Sequence, residues 1–294
     1  MDLNQLSIRI SFGILLNLPV LILVLKKKYL TWPGGLMLAG LTGLILFIFH
    51  PLFWVILLIF FSTSSFLSKY RFSDKKEISL NFSKTNQRDV WQVLANNLGF
   101  VLFAFLHFYF IDQSLINVFS SFSIAAFTYL AVMNADTWAT EIGIISNKDA
   151  HYILNLRKKV PSGTSGGVSI SGTISGLLGS YLISFSVVVG FIINNYLINL
   201  ALTYFQYFIV FLTIGFFGFL GMLVDSILGG LVQVMYYCPT CENITEATLH
   251  SKCGGTITIY DKGIKWINND VVNIISGLLS TVLSFLFIKT TLTI

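Results

Sequence analysis

The chain has 294 residues, 55% of them hydrophobic and 11% charged, and its mean hydropathy is +0.79. A soluble core of this size needs far less apolar material, so the excess faces lipid and a soluble fold is excluded. The formal net charge of +5 could suggest nucleic acid, but in a membrane protein basic residues report orientation, so no nucleic-acid partner is expected.

Apolar stretches long enough to cross about 30 Å of hydrocarbon as helices recur along the chain. They fall at Leu6–Leu25, Trp32–Phe49, Leu52–Ser68, Val90–Ile111, Leu115–Ala135, Val168–Ile193, Tyr204–Val224 and Val271–Ile288. The expected fold is an all-α polytopic transmembrane bundle of about eight helices, between seven and nine. The first stretch lacks a small-residue cleavage site and ends in Lys26-Lys27-Lys28, which reads as a stop-transfer flank and not as a signal peptide.

Alternation of eight spans puts 26–31, 69–89, 136–167 and 225–270 on one side, and these loops hold sixteen of the eighteen Lys and Arg residues. Only Arg9 and Lys289 fall elsewhere. The positive-inside rule places these loops in the cytoplasm and both termini outside, so a multi-pass protein of the cell membrane with a cytoplasmic active face is expected. The opposite loops are short, as at Asp112–Ser114 and Asn194–Asn195. Residues 1–294 read as a single integral-membrane domain without an internal repeat, with a cytoplasmic loop at 236–267 inserted before the last helix.

Acidic residues gather at the cytoplasmic ends of the spans. Asp136 and Glu141 follow the fifth, Asp225 closes the seventh and Asp270 opens the eighth. Charge near hydrocarbon is costly, roughly 2.5–3.5 kcal/mol on insertion scales, so four acids at one depth invite a functional reading. Carboxylates together suit Mg²⁺, which prefers oxygen ligands. Asp136 with Thr140, and Thr137 with Glu141, are four apart and share a face if helical. Ser226 precedes Gly229-Gly230, which permit close approach of a helix or ligand. Asn268, Asn269 and Asn273 surround Asp270, either capping the last helix or joining the site.

Between the fifth and sixth spans, Arg157-Lys158-Lys159-Val160-Pro161-Ser162 leads into Gly163-Thr164-Ser165-Gly166-Gly167-Val168-Ser169. Such a turn at a helix start can cradle phosphate with backbone N–H groups, with Lys158 or Lys159 adding a point charge. It is not the common P-loop order, and Gly172 and Gly176 further on suit helix packing equally well. The three cysteines form Cys238-x2-Cys241-x8-His250-x2-Cys253, the spacing of a closed tetrahedral structural Zn²⁺ site; unligated thiols are the alternative.

Five segments occur together and in order: Arg88-Asp89-Val90-Trp91-Gln92-Val93-Leu94-Ala95-Asn96; Asn134-Ala135-Asp136-Thr137-Trp138-Ala139-Thr140-Glu141-Ile142-Gly143; Lys158 to Gly172; Asp225-Ser226-Ile227-Leu228-Gly229 with Gln233; and Asn269-Asp270-Val271-Val272-Asn273. With these the chain resembles the integral-membrane family of the plant phytyl-phosphate kinase, over roughly residues 30–290. The resemblance implies phosphorylation of a prenyl monophosphate (phytyl, geranylgeranyl or farnesyl type) to the diphosphate, with CTP or a similar nucleotide as donor. A more distant likeness is to the CTP-dependent polyprenol and phytol kinases, which carry a Glu in the glycine turn where this chain has Ser165-Gly166-Gly167.

Asp136, Glu141 and Asp225 are therefore expected to serve Mg²⁺ and catalysis, and Lys158 with the Gly163–Gly167 backbone to hold phosphate. Asn96, Thr137, Ser169, Ser226, Asn269, Asp270 and Asn273 complete the polar wall, while Cys238, Cys241, His250 and Cys253 hold structural Zn²⁺ outside the chemistry. Expected partners are the bilayer, a prenyl phosphate and a nucleotide, with homo-oligomerisation open. Competing readings are a transporter or flippase for a lipid phosphate or small anion, whose site belongs nearer the bilayer midplane, and a cytidylyltransferase forming a CDP-lipid.

Overall fold

The computed structural model describes residues 3–70, 87–111, 118–145, 150–198, 202–250 and 253–292. Most of the expected 69–89 loop lies outside these residues, as do Asp112–Ser114, the expected fifth-span start at Leu115, and Ser251-Lys252 within the Cys/His spacing.

Among the described residues eight long helices run: α1 (Leu3–Lys26), α2 (Trp32–Phe49), α3 (Pro51–Lys69), α4 (Val90–Phe110), α5 (Ser121–Ile145), α6 (Ile170–Ile198), α7 (Tyr204–Leu231) and α8 (Asn269–Leu292). Seven of them are long and apolar enough to cross a membrane; α5 is the exception. Local chemistry sets the starts. Asp89 and Gln92 form a capping box on α4, as Thr203 and Gln206 do on α7. The Ser169 hydroxyl accepts from Gly172 N at 3.1 Å at the head of α6, and Asn268 Oδ1 accepts from Val271 N at 3.1 Å at the head of α8.

The fifth helix stands in the middle, packed by α3, α4, α6, α7 and α8, and nearly every residue from Ser121 to Ala135 is buried. Surrounded by protein, it tolerates polar groups that lipid would reject, provided they are paired. Thr128 and Ser284 hydroxyls lie 2.8 Å apart. Asn134 accepts from Thr63 and Ser64, both at 3.2 Å, and donates to Gly179 O at 2.7 Å, tying α3, α5 and α6 together. Close approach needs small residues: a Cβ on Gly172 would lie 2.8 Å from Ala139 O, and one on Gly277 2.6 Å from a Tyr129 ring carbon. The packing reading of Gly172 therefore holds.

Several helices extend beyond their expected ends, two of them at the candidate site. The α5 helix runs past Ala135 to Ile145 and α7 past Val224 to Leu231, so Asp136, Glu141 and Asp225 sit inside helices. Hydropathy marks where a helix leaves lipid, whereas these turns continue against other protein segments. Asn194 and Asn195 likewise lie within α6 and not in a loop. Between α5 and α6, strands β1 (Ala150–Tyr152), β2 (Asn155–Val160) and β3 (Gly167–Val168) form an antiparallel sheet in the order β2-β1-β3. Between α7 and α8, β4 (Met235–Cys238), β5 (Asn243–Thr245) and β8 (Ile259–Lys262) form a second sheet, beside a two-stranded pair, β6 (Leu249–His250) and β7 (Thr256–Ile257).

Candidate active site

The C-terminal ends of α3, α5 and α7 and the N-terminal ends of α4, α6 and α8 meet around one cavity of about 370 Å³. These are the ends that simple alternation places on one side. From α5 come Asp136, Thr137, Thr140 and Glu141; from α7, Asp225, Ser226 and Gly229; from α8, Asn269, Asp270 and Asn273; and from α4, Gln92 and Asn96. The turn Ser162–Ser169 forms the facing wall, and Tyr29, Ser65, Ser68, Lys69 and Arg88 close another side.

Asp225 is the best-defined group. It is buried, and its Oδ2 accepts from Ser276 Oγ at 2.8 Å. The Asn273 amide, in the orientation its neighbours require, donates to the same Oδ2 at 2.9 Å and to Asn269 O at 3.2 Å. Both donors take one oxygen; among the described residues none is seen on the other. Asp225 also lies within electrostatic range of Asp136 and Glu246. Carboxylates within that range inside protein repel one another, and a shared proton or a bound cation would offset the repulsion. Asp136, Glu141, Asp225, Glu246 and Asp270 all line this cavity, and their oxygen donors could hold a hard cation such as Mg²⁺.

The glycine turn is defined by its backbone. Gly163 and Gly166 have φ of 84° and 76°, a region side chains disfavour. A Cβ on Gly166 would also lie 2.7 Å from Gly230 Cα, so the turn is seated on the end of α7. Thr164 N and Oγ1 both donate to Pro161 O, at 3.1 and 2.7 Å, and Gly167 N donates to Thr164 O at 2.8 Å. Ser165 Oγ donates to Gln233 Oε1 at 3.0 Å.

Of the polar residues anticipated at the cavity from sequence, Lys158 and its alternative Lys159 are the ones not brought to it. Lys158 lies on β2, the exposed outer strand of its sheet, with Nζ 5.7 Å from the Tyr152 ring centroid. Among the described residues the cations at the wall are Lys69 and Arg88. Lys69 Nζ donates to Lys27 O and sits 4.1 Å from the Tyr29 ring centroid. Arg88 is clamped by its backbone, with N donating to Tyr29 O at 3.2 Å and O accepting from Thr31 N at 3.1 Å. Burial lowers the pKa of its guanidinium, and the charge of Glu141 opposes that. Asn268 lines the cavity as well as capping α8. Sequence reasoning gave no role to Lys69, Arg88, Gln92, Gln233 or Glu246. Arg88, Gln92 and Gln233 stood within the ordered segments; Glu246 had no local signal.

Beside the cavity, one ligand atom each from Cys238, Cys241, His250 and Cys253 lies within 4.8 Å of the others, and Cys241 Sγ is 3.4 Å from His250 Nδ1. Two turns present them. Glu242, with φ 56°, closes the first, and Gly254 and Gly255, with φ 68° and 87°, close the second. Desolvation opposes ionisation of both outer thiols: it leads in pushing Cys253 up to about 12, while hydrogen bonds from Cys241, Thr240 and His250 overcome it and bring Cys238 down to about 6. Full ionisation of such a cluster requires a cation, and the donor set is compatible with structural zinc.

Fold and site together define a polytopic integral membrane protein whose polar residues converge on one cavity at its helix ends. The chain belongs to the family described as integral membrane protein DUF92, which matches residues 15–281; this is the family the ordered segments resemble. It is 27% identical over 285 residues to Protein PGR of Arabidopsis thaliana, covering 94% of this chain and 95% of that one. It is 32% identical over 183 residues to the membrane protein MJ0933 of Methanocaldococcus jannaschii, covering 62% and 71%. Protein VTE6, chloroplastic, of Arabidopsis thaliana is 23% identical over 228 residues, covering 77% and 56%. No solved structure matches.

Proposed function

We propose that this protein is a membrane-embedded kinase that transfers the terminal phosphoryl group of CTP or another nucleoside triphosphate to a prenyl monophosphate. The products are the prenyl diphosphate and a nucleoside diphosphate. The observation that carries this reading is the meeting in one cavity of clustered carboxylates, a glycine turn and two cations at the helix ends. The family resemblance adds the class of acceptor.

The layout suits the two substrates. A prenyl phosphate keeps its tail in the bilayer and its head at the surface, so Lys69 and Arg88, at the ends of lipid-spanning segments, take the acceptor phosphate. The Ser162–Gly167 turn takes the nucleotide phosphates from the aqueous side; the distribution of Lys and Arg supports a cytoplasmic position for it. The acceptor oxygen is already anionic near neutral pH, so no strong base is needed, and the chief obstacle is repulsion between two anions. Bound Mg²⁺ supplies charge neutralisation between them. The chain's own part is to hold both phosphates in line and, through Asn273 and Ser276, to fix the Asp225 carboxylate.

The test is incubation of purified protein with Mg²⁺, geranylgeranyl or phytyl monophosphate, and each of CTP, ATP, GTP and UTP, with mass spectrometry of the lipids. A prenyl diphosphate that forms with wild type and is lost in Asp136→Asn supports the kinase. Pyrophosphate with a nucleotide-linked lipid overturns it in favour of a cytidylyltransferase, and no lipid product from folded protein overturns it in favour of transport.

A further inference from the structure

The Cys/His loop reads from sequence as scaffolding apart from the chemistry, yet one of its side chains reaches the cavity. Glu246 lies five residues after Cys241 and four before His250. Its neighbours Thr245 and Ala247 are 2% and 6% exposed, and Ala247 is pinned by a bond from its N to Thr245 Oγ1 at 3.1 Å and by Thr258 Oγ1 donating to its O at 2.9 Å. This fixed backbone sends Glu246 to the cavity wall, where Oε1 accepts from Gln233 Nε2 at 2.7 Å. Gln233 is itself buried, and its other end accepts from Ser165 in the glycine turn. The donors run one way: hydroxyl to amide oxygen, amide nitrogen to carboxylate. A second link runs in parallel, with Lys262 Nζ on β8 donating to Tyr152 OH at 3.5 Å and to Gly230 O at 3.4 Å, beneath Gly166.

We infer that Glu246 and Gln233 are positioning residues through which the Cys/His cluster, when it holds its metal, sets the Ser162–Gly167 turn. A metal bridging Cys241 and His250 holds together the two ends of the segment whose middle carries Glu246. With those ends released, Glu246 withdraws, the buried Gln233 amide loses its acceptor and Ser165 loses its fixed partner. The cluster is then part of the site's construction without touching any substrate, and the inference stands whether or not the cavity is a kinase site.

Hydrogen–deuterium exchange by mass spectrometry on the full chain in detergent, zinc-loaded and chelator-stripped, tests this without turnover. Stripping the wild type is expected to speed exchange of peptides covering 162–169 roughly five- to tenfold, the scale of one lost hydrogen bond, while peptides from α5 keep their protection. Glu246→Ala is expected to show the same acceleration with zinc bound and little more on stripping, because both changes break one chain. Glu246→Gln, which keeps an acceptor oxygen for Gln233, is expected to exchange like wild type while zinc-loaded. The inference is overturned if stripping loosens 238–257 but leaves 162–169 unchanged, if stripping and Glu246→Ala act independently, or if metal analysis finds that the cluster binds no zinc. Should Glu246→Ala fail to fold, the stripped wild type and Glu246→Gln still decide.

Discussion

The two polar clusters sit side by side yet differ in every respect that governs what they hold. The cavity is open, about 370 Å³, and built of carboxylates, hydroxyls, amides and backbone at the ends of helices remote in sequence. The Cys/His cluster is closed, its ligand atoms within 4.8 Å, and built from two tight turns in one short loop. Oxygen donors around an open space suit a hard ion that arrives and leaves with phosphates. Sulfur and imidazole around a closed point suit a soft resident ion. On the proposed function the first would exchange its ion and the second keep it, and Glu246 lies in the loop of the second and at the wall of the first.

Substitutions sharpen that contrast. The largest effect is expected from Asp225→Asn. Losing a cation ligand at the transferring phosphate lowers turnover by roughly 10²–10³-fold, the scale for removing a group that stabilises transition-state charge. Zinc content stays unchanged by elemental analysis; a variant with near-normal turnover would remove Asp225 from the ion site. Gly166→Ala comes next. The φ of 76° and the 2.7 Å approach to Gly230 Cα leave no room for a methyl group, and the strain of about 1–2 kcal/mol displaces the turn. Nucleotide KM is expected to rise roughly tenfold, with lipid KM steady; equal shifts in both would break the division of the cavity into two ends. Arg88→Ala should do the reverse, raising lipid-phosphate KM by about tenfold, as expected for one charged hydrogen bond. Cys253→Ser removes a ligand of the closed cluster, so zinc per chain should fall well below that of wild type and the thermal midpoint by a few degrees. A variant that keeps full zinc would show that Cys253 is not a ligand. Lys158→Ala should change activity less than twofold, because that side chain stands outside the cavity; a large loss would return it to the site.

Much of this was legible in the residues. The spans, the gathering of acids at one set of helix ends, the glycine turn and the Cys/His spacing are local or periodic features, and lipid sorts apolar from polar sequence strictly enough to read them. The Asn268 cap, one of the two roles open to the asparagines beside Asp270, is local in the same way. Lys158 shows where that reading stops. Sequence proximity to a glycine turn suggested contact, but an intervening outer strand carries the side chain away.

The amino-acid sequence marked the long apolar segments, the polar residues at their ends and the spacing of the Cys/His donors, because partition between water and lipid, helix capping and ligand spacing act over short stretches of chain. Packing decided the rest. It placed α5 among five other helices, where Thr128 and Asn134 find partners. It set Lys69 and Arg88, not Lys158, at the cavity, and it carried Glu246 from the Cys/His loop to Gln233 and the glycine turn. These contacts join residues far apart in the chain, and they exist only where the helices and the two small sheets close on one another in space.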